Sequence, residues 1–473
     1  MRSYRRRLGT IILFLSDIVI LFLITALAVF TRDILPSIIP SFPGFSREIG
    51  YAWWFFPVWL TILAFEGAYS RRFTFWDEVK VLWKAALFST LAILSVVFIG
   101  KVGDFVSRTV VVLIGLFSLV LFPLFRISLK RFLISSGLLK RKVVILGANP
   151  TGVMALQALR SEPNLGYEVI GFLDDVPTGP SRIEGVKVHG HLDRVERYLN
   201  RADVHDVVIA LPDRDKGELG ALVTRLQHKA ASVLYFPDYA GVAAIGTELR
   251  HFFSSQIFAL EIKNNLAEPF NFYTKKVFDY LTGGVLSLLL LPPLSLIAAL
   301  IRITSSGPAI YRHFRVGKNG RPFPCYKFRT MFTDADARLQ DILDSDADAR
   351  KEWERYRKLT NDPRITPIGR FLRKTSLDEL PQILNILRGE MSLVGPRPVT
   401  QEEIDVHYQD NADLCFSVLP GITGLWQVSG RSDASYPYRI SLDSWYVRNW
   451  NLWLDIVILL RTVSVVLAKK GAR

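Results

Sequence analysis

Cysteine is scarce in this 473-residue chain: Cys325 and Cys415 are the only two. So few thiols exclude a disulfide-built scaffold. Both fall in a part of the chain read below as cytoplasmic, so free thiols are expected. No Cys/His cluster has ligand spacing, which argues against zinc. Acidic residues are in deficit, 44 against 58 lysines and arginines, for a formal net charge of +14. That excess suits anionic lipid or a phosphate substrate. Nucleic acid, the other usual partner of a basic chain, is set aside because of the apolar runs described next. Missing too is a small-residue cleavage site after the first of those runs, which is therefore read as a retained helix and not a signal peptide. What is abundant is apolar surface: 50% hydrophobic and 12% aromatic residues is rich for a soluble protein, yet 22% charged is too polar for a chain wholly in membrane. The length leaves room for two or three domains.

Four apolar runs open the chain: Ile11 to Phe30, Ala52 to Tyr69, Leu82 to Ile99 and Val110 to Leu124. The first three have spanning length, about 17–25 residues, and the fourth reaches it with its flank past Pro123. Basic residues set the orientation. Arg5, Arg6 and Arg7 precede the first run; Arg71, Arg72, Lys80 and Lys84 lie between the second and third; Arg126, Lys130, Arg131, Lys140, Arg141 and Lys142 follow the fourth. The other side holds only Arg32, Arg47, Lys101 and Arg108. Residues 1–135 thus read as a four-helix transmembrane domain with both ends inside.

Residues 136–265 read as a Rossmann-like cytoplasmic α/β domain. Val143 to Gly147 is a buried-strand pattern running into a turn, a helical stretch follows from Gly152, and Glu168 to Asp174 and Val207 to Pro212 continue a βαβ series. The turn Gly147-Ala148-Asn149-Pro150-Thr151-Gly152 is similar to a dinucleotide motif but lacks its middle glycine. A bound nucleotide and a bare scaffold, with glycines serving only turn and packing, both stay open.

A fifth apolar run, Tyr280 to Ile301, carries Pro292 and Pro293 in its middle, which argues against a straight helix. Lys275 and Lys276 precede it and Arg302 follows, so both ends ask to be cytoplasmic. A kinked helix that enters and leaves through one leaflet meets both demands. A kinked spanning helix would instead put the rest of the chain outside. The remainder of residues 266–473 is basic. Asp334 to Leu359 reads as a charged, solvent-facing helix. Trp445 to Ala468 mixes Trp445, Tyr446, Trp450 and Trp453 with aliphatics, Asp455 and Arg461, a pattern of helices lying on a membrane.

Two adjacent carboxylates, Asp378 and Glu379, sit in Arg373-Lys374-Thr375-Ser376-Leu377-Asp378-Glu379-Leu380-Pro381-Gln382. Ser376 to Glu379 fits a capping box. Pro381 favours Asp378 as the cap, since the ring then falls at the third helical position. Leu380, Ile383, Leu384 and Leu387 would form one apolar face. An Asp at a helix start among cations stays ionised, as a nucleophile or metal ligand must. Capping and catalysis both stay open on these grounds. Lys327, Arg329, Arg364, Arg370, Arg373, Lys374 and Arg397 lie in the same stretch. Arg397 stands out because Pro396 and Pro398 fix its backbone and a rigid guanidinium suits a pyrophosphate.

With these motifs in hand, the chain resembles the bacterial sugar transferases, the small-monotopic polyprenol-phosphate hexose-1-phosphate transferases. The likeness rests on the Pro-Pro helix, Lys327 to Met331, Leu377 to Gln382, Gly389 to Pro398 and Pro420 to Arg431, and covers about residues 270–473. Four helices and a Rossmann-like domain ahead of it are similar to the large members. Phe323-Pro324-Cys325-Tyr326 and Ile262 to Ala267 look nearest to undecaprenyl-phosphate galactose phosphotransferases. The resemblance implies a membrane protein of α plus α/β class, anchored by a re-entrant helix at Pro292-Pro293 in the bacterial inner membrane, its catalytic domain cytoplasmic. It implies that Asp378 attacks a UDP-hexose, galactose or alternatively glucose, releasing UMP, and that undecaprenyl phosphate then accepts the hexose phosphate. Magnesium with Asp378 as ligand, Glu379 either assisting the metal or activating the lipid phosphate, and Lys327, Arg329, Arg373 and Arg397 as phosphate contacts belong to the same implication, as does a first membrane step in O-antigen, capsule or exopolysaccharide synthesis. The oligomeric state stays open, a homodimer included. A membrane-tethered nucleotide-sugar dehydratase would need a Tyr-x-x-x-Lys pair, which residues 142–254 lack. A non-catalytic regulator would have no use for Asp378-Glu379.

Overall fold

Apolar runs become helices because, away from water, each backbone N–H must find its carbonyl within the segment. In the computed structural model, α1 (Arg2–Ile38), α2 (Phe55–Phe65), α3 (Phe75–Ile99) and α4 (Arg108–Ser135) occupy the four N-terminal runs. The structure describes residues 2–41, 53–101, 106–175, 181–201, 204–227, 229–237, 248–252, 257–261, 265, 268–345, 350–351, 353, 359, 362–408, 411–429 and 435–467. Arg47, Ile262 to Asn264, Leu266, Ala267, Gly430, Arg431, Ala468 and most of the charged run between Asp346 and Asn361 lie outside the described residues.

α1, α3 and α4 are long and apolar enough to cross a membrane. α2 has only 11 residues, about 16 Å of rise against about 30 Å of hydrocarbon. The expectation of spanning length for the second run is corrected in this respect. Turns at Trp53-Trp54 and from Glu66 onward consume the rest of the run, with Gly67 left-handed at φ 81°. Trp59, Leu63, Leu82, Ile93 and Phe122 pack between the helices. Charges are buried there as well: Arg126 pairs with Asp17 and, at 3.3 Å, with Glu78, and Lys130 meets Glu78 at 2.5 Å. Buried charges of this kind persist only when paired.

β1 (Arg141–Leu146), α5 (Pro150–Ser161), β2 (Tyr167–Asp174), β3 (Arg182–Ile183), β4 (Val186–Gly190), α6 (Val195–Arg201), β5 (Val204–Ile209), α7 (Lys216–Gln227) and β6 (Ser232–Tyr235) follow. They build a sheet of order β3-β4-β2-β1-β5-β6, parallel from β4 to β6. β1 and β5, as near-continuous Val/Ile/Leu, are buried on both faces. The order reverses between β1 and β5.

Compactness divides the chain into two units, Met1–Tyr239 and Ala240–Arg473, the first holding both the helices and the sheet. The reason is a grip between helices and sheet across residue 135. Asn164, in the turn before β2, donates to Phe73 O at 3.1 Å and to Glu78 Oε2 at 2.5 Å. The Arg72 guanidinium reaches the carbonyls of Leu165 and Leu139.

The second unit begins with an antiparallel hairpin, β7 (Glu248–Phe252) and β8 (Ile257–Glu261). α8 (Pro269–Thr304) carries the fifth apolar run and is helical through Pro292 and Pro293; it too is long and apolar enough to cross a membrane. Next come the hairpin β9 (Ile310–Val316) and β10 (Pro322–Phe328), and α9 (Ala335–Ser345). The parallel pair β11 (Ser392–Val394) and β12 (Gly421–Thr423) lies near the end, before helices Tyr436–Arg448 and Leu452–Leu467.

The interfacial reading of the tail is corrected for its central residues. Tyr446 and Trp450 are each 1% exposed and belong to the core with Ile386, Leu393 and Ile458. Their polar tips explain it: Tyr446 Oη donates to Asp455 Oδ1 at 2.7 Å and Trp450 Nε1 to Asp455 Oδ2 at 3.0 Å. Lys275 of α8 completes the knot, bonding Asp455 at 2.8 Å and Val394 O at 3.1 Å.

Candidate active site

The β9–β10 hairpin is the platform. Its register sets Arg315 opposite Phe323 and His313 opposite Cys325, so alternation points Arg315, Cys325 and Lys327 toward one cavity. Asn385, fully buried, clamps the carboxylate segment onto this platform. Its Oδ1 accepts from Tyr326 N at 3.1 Å, and its Nδ2 donates to Pro324 O at 2.7 Å and Glu390 Oε2 at 2.6 Å.

The carboxylates lie on a 3-10 helix, Leu377–Gln382, followed by an α-helix, Ile383–Leu387. This corrects the expected local geometry. Ser376 is left-handed at φ 56° and caps nothing with its side chain, and Asp378 is inside the 3-10 helix, not at its cap. Pro381 lies inside the same 3-10 helix and is buried. The new phase also changes the inner face: Ile383, Asn385 and Ile386 are buried, while Leu384 and Leu387 are 40% and 41% exposed.

Glu379 does not close a capping box; its Oε1 accepts from Lys327 Nζ at 2.7 Å. Asp378 sits in a field of opposing effects. Burial raises its carboxyl above the usual range and the Glu379 charge adds to this, while Lys327 and Arg373 pull it down. Desolvation, more than a helix start, therefore governs its protonation. Burial likewise lowers Arg373, countered by Asp378 and Asp362, and Arg373 Nε donates to Thr330 Oγ1 at 2.9 Å.

Arg397 arrives from β11. Gly395 and Gly421 touch backbone to backbone, a Cβ on Gly395 falling 2.8 Å from Gly421 N. Only glycine allows that approach. Arg397 N–H faces Asp443 Oδ2 at 3.5 Å, and its guanidinium lies 5.5 Å from the Trp426 ring. Asp443, 1% exposed, is pushed up to about 7 by burial.

Lys327, Glu379 and Arg397 thus meet in one cavity, joined by Arg315, Gln382 and Gln427. Arg315 is held by Glu403 at 2.8 Å, which also accepts from Tyr436 Oη at 3.0 Å. Gln382 and Gln427 fall within motifs already singled out but were given no role there, and nothing in the local sequence marks Arg315 or Asn385; a hairpin reading of Ile310 to Phe328 would have found Arg315 on the face of Lys327. Arg329 lies elsewhere: its Nη2 donates to Ser305 O at 2.9 Å, at the end of α8. Arg364 is taken up by Asp362 at 2.8 and 2.7 Å. Both thiols are free and buried. Among the described residues no cluster of three or more His, Cys, Asp or Glu could hold a metal. A carboxylate pair among cations, at a narrow polar cavity, can attack a phosphorus atom and stabilise the charge that develops there.

Residues 270–469 match the bacterial sugar transferase family, and residues 65–237 match a CoA-binding domain. The chain is 39% identical over 405 residues to an undecaprenyl-phosphate galactose phosphotransferase of Salmonella typhimurium, covering 85% of this chain and 84% of that protein. It is 31% identical over 357 residues to a UDP-glucose:undecaprenyl-phosphate glucose-1-phosphate transferase of Klebsiella pneumoniae, covering 74% and 72%. The exopolysaccharide production protein ExoY of Rhizobium meliloti is 44% identical over 219 residues, 46% of this chain but 96% of ExoY.

Proposed function

This chain belongs to the bacterial sugar transferase family, and on that footing we propose that it transfers hexose-1-phosphate from a UDP-hexose to undecaprenyl phosphate. The observation that carries the reading is Asp378 beside Glu379, Lys327 and Arg373, next to a cavity lined by Arg315 and Arg397. An ionised Asp378 oxygen attacks the sugar-bearing phosphorus. The P–O bond to the uridine phosphate breaks, and UMP leaves with the electron pair. A phosphate oxygen of undecaprenyl phosphate then attacks the same phosphorus and Asp378 departs, restoring its carboxylate. Arg315, Lys327 and Arg397 offset the charge of the diphosphate and of the leaving UMP. Galactose is the donor sugar we favour, given the higher identity to the galactose enzyme, with UDP-glucose as the alternative.

Two neighbouring carboxylates, with Asp378 raised by burial and then by the Glu379 charge, are a donor set of the kind that binds magnesium together with substrate phosphates. Asp378 would hold it, assisted by Glu379, and when bound it supplies neutralisation of the diphosphate. The α/β sheet reads as Rossmann-like in strand order.

α8 reads as a re-entrant helix. Both its ends are tied to the same folded unit, Lys275 to Val394 and Asp455, and Ser305 to Arg329. A straight helix from Lys275 to Ser305 would part those ends by about 45 Å. With positive charge at both ends and Pro292-Pro293 between, the catalytic unit then lies on the cytoplasmic face of a bacterial inner membrane, serving O-antigen, capsule or exopolysaccharide assembly.

UMP release from a panel of UDP-hexoses, with undecaprenyl phosphate and magnesium, tests the activity. Asp378→Asn should lower turnover by several orders of magnitude. The wild type, quenched without lipid, should carry one hexose phosphate on the peptide containing Asp378. Full activity in Asp378→Asn would end the nucleophile assignment.

A further inference from the structure

We infer that the α/β domain takes up neither CoA nor a dinucleotide at the turn after β1, because its own side chains fill the phosphate cradle. A phosphate at the start of a crossover helix needs free backbone N–H groups, close backbone approach and no competing anion. The turn from Gly147 to Gly152 offers none of these in full. Ala148 N–H donates to Asp174 Oδ2 at 2.7 Å. Pro150, the first residue of α5, has no N–H to give. Gly152 N–H is spent on Asn149 Oδ1 at 2.9 Å, and Val153 N–H on Asn149 O at 3.0 Å.

Asn149 stands where a dinucleotide motif has its middle glycine, the residue that lets a pyrophosphate touch the backbone. Its Nδ2 instead donates to Ala210 O at 2.8 Å, bridging the ends of β1 and β5. That bridge crosses the point where strand order reverses, the place a ligand crevice would open. The two remaining glycines serve packing. A Cβ on Gly147 would lie 2.1 Å from Ala210 O, and one on Gly152 would lie 2.1 Å from Gly147 O. The Asp174 carboxylate also sets negative charge where a phosphate would have to enter.

The match to a CoA-binding domain therefore reports a shared fold and not a shared ligand. The domain's contacts are made at the other end of the sheet, where Asn164 holds the start of α3.

Hydrogen–deuterium exchange on the full-length protein in detergent, with and without millimolar CoA or NAD, reads the turn directly. Uptake across residues 147–153 should be the same in all three conditions. Ligand-dependent protection there would overturn the inference. Asn149→Gly combined with Asp174→Ala frees the donors and removes the anion, and this variant should gain protection with CoA or NAD. A folded double variant that gains none would overturn donor occupancy as the cause. Should the double variant fail to fold, the wild-type comparison decides alone.

Discussion

In the proposed reaction Asp378 must be ionised to attack, yet burial and the Glu379 charge both hold its proton on. Activity should therefore rise with pH through a value above the ordinary carboxylate range. Glu379→Gln removes one of the two raising causes and also frees Lys327 from its 2.7 Å bond. The acid limb of kcat/KM should move to lower pH in that variant, even if the plateau falls. A limb that stays put would mean that Glu379 is electrostatically silent. Asp443 gives a second pH test. Its folded value of about 7 stands above the unfolded one, about 3.9. The folded state then holds the extra proton between those limits, so stability is lost as pH rises through about 7. The melting temperature of Asp443→Asn should gain on wild type progressively from about pH 4 to about pH 7; a pH-independent difference would refute the assignment. Lys327, Glu379 and Arg397 were legible in the sequence because each lies in a local motif. Arg315 and Asn385 were not, because strand register and a clamp across 59 residues, from Tyr326 to Asn385, bring them in.

At the scale of elements, long apolar runs were legible and phase was not. Hydropathy located α1, α3, α4 and α8, but composition could not reveal that Glu66 and Gly67 end α2 early. In the tail, aromatics interspersed with charge look interfacial until Asp455 is seen to be the fully buried partner of Lys275, Tyr446 and Trp450. The same knot fixes one end of α8, and Arg329 fixes the other. Between them Pro292 and Pro293 each withhold a backbone donor, worth about 3 kcal/mol per interior proline. Replacing both by alanine should let a fraction of molecules straighten across the bilayer, carrying the catalytic unit outward. Labelling of a cysteine placed after Arg302 checks this. It should be protected from outside in the wild type and partly reactive in the variant. Outside labelling of the wild type would refute the re-entrant path.

For the whole molecule, the division at Tyr239–Ala240 predicts where chemistry can be separated from its membrane mount. Every residue assigned to the proposed reaction lies after that boundary, from Arg315 to Arg397. The hairpin β7–β8 lies after it too, and Asn265 Nδ2 donates to Trp450 O at 2.9 Å, so a cut at 266 would strip a contact from the catalytic core. ExoY, matched over 96% of its own length by less than half of this chain, has no room for the four helices and sheet that precede it here. Residues 240–473, expressed alone in membranes, should release UMP from the same UDP-hexose with kcat/KM within roughly tenfold of the full chain. Residues 1–239 should fold and release none. A folded, membrane-bound 240–473 fragment without activity would show that the first unit contributes to the chemistry itself.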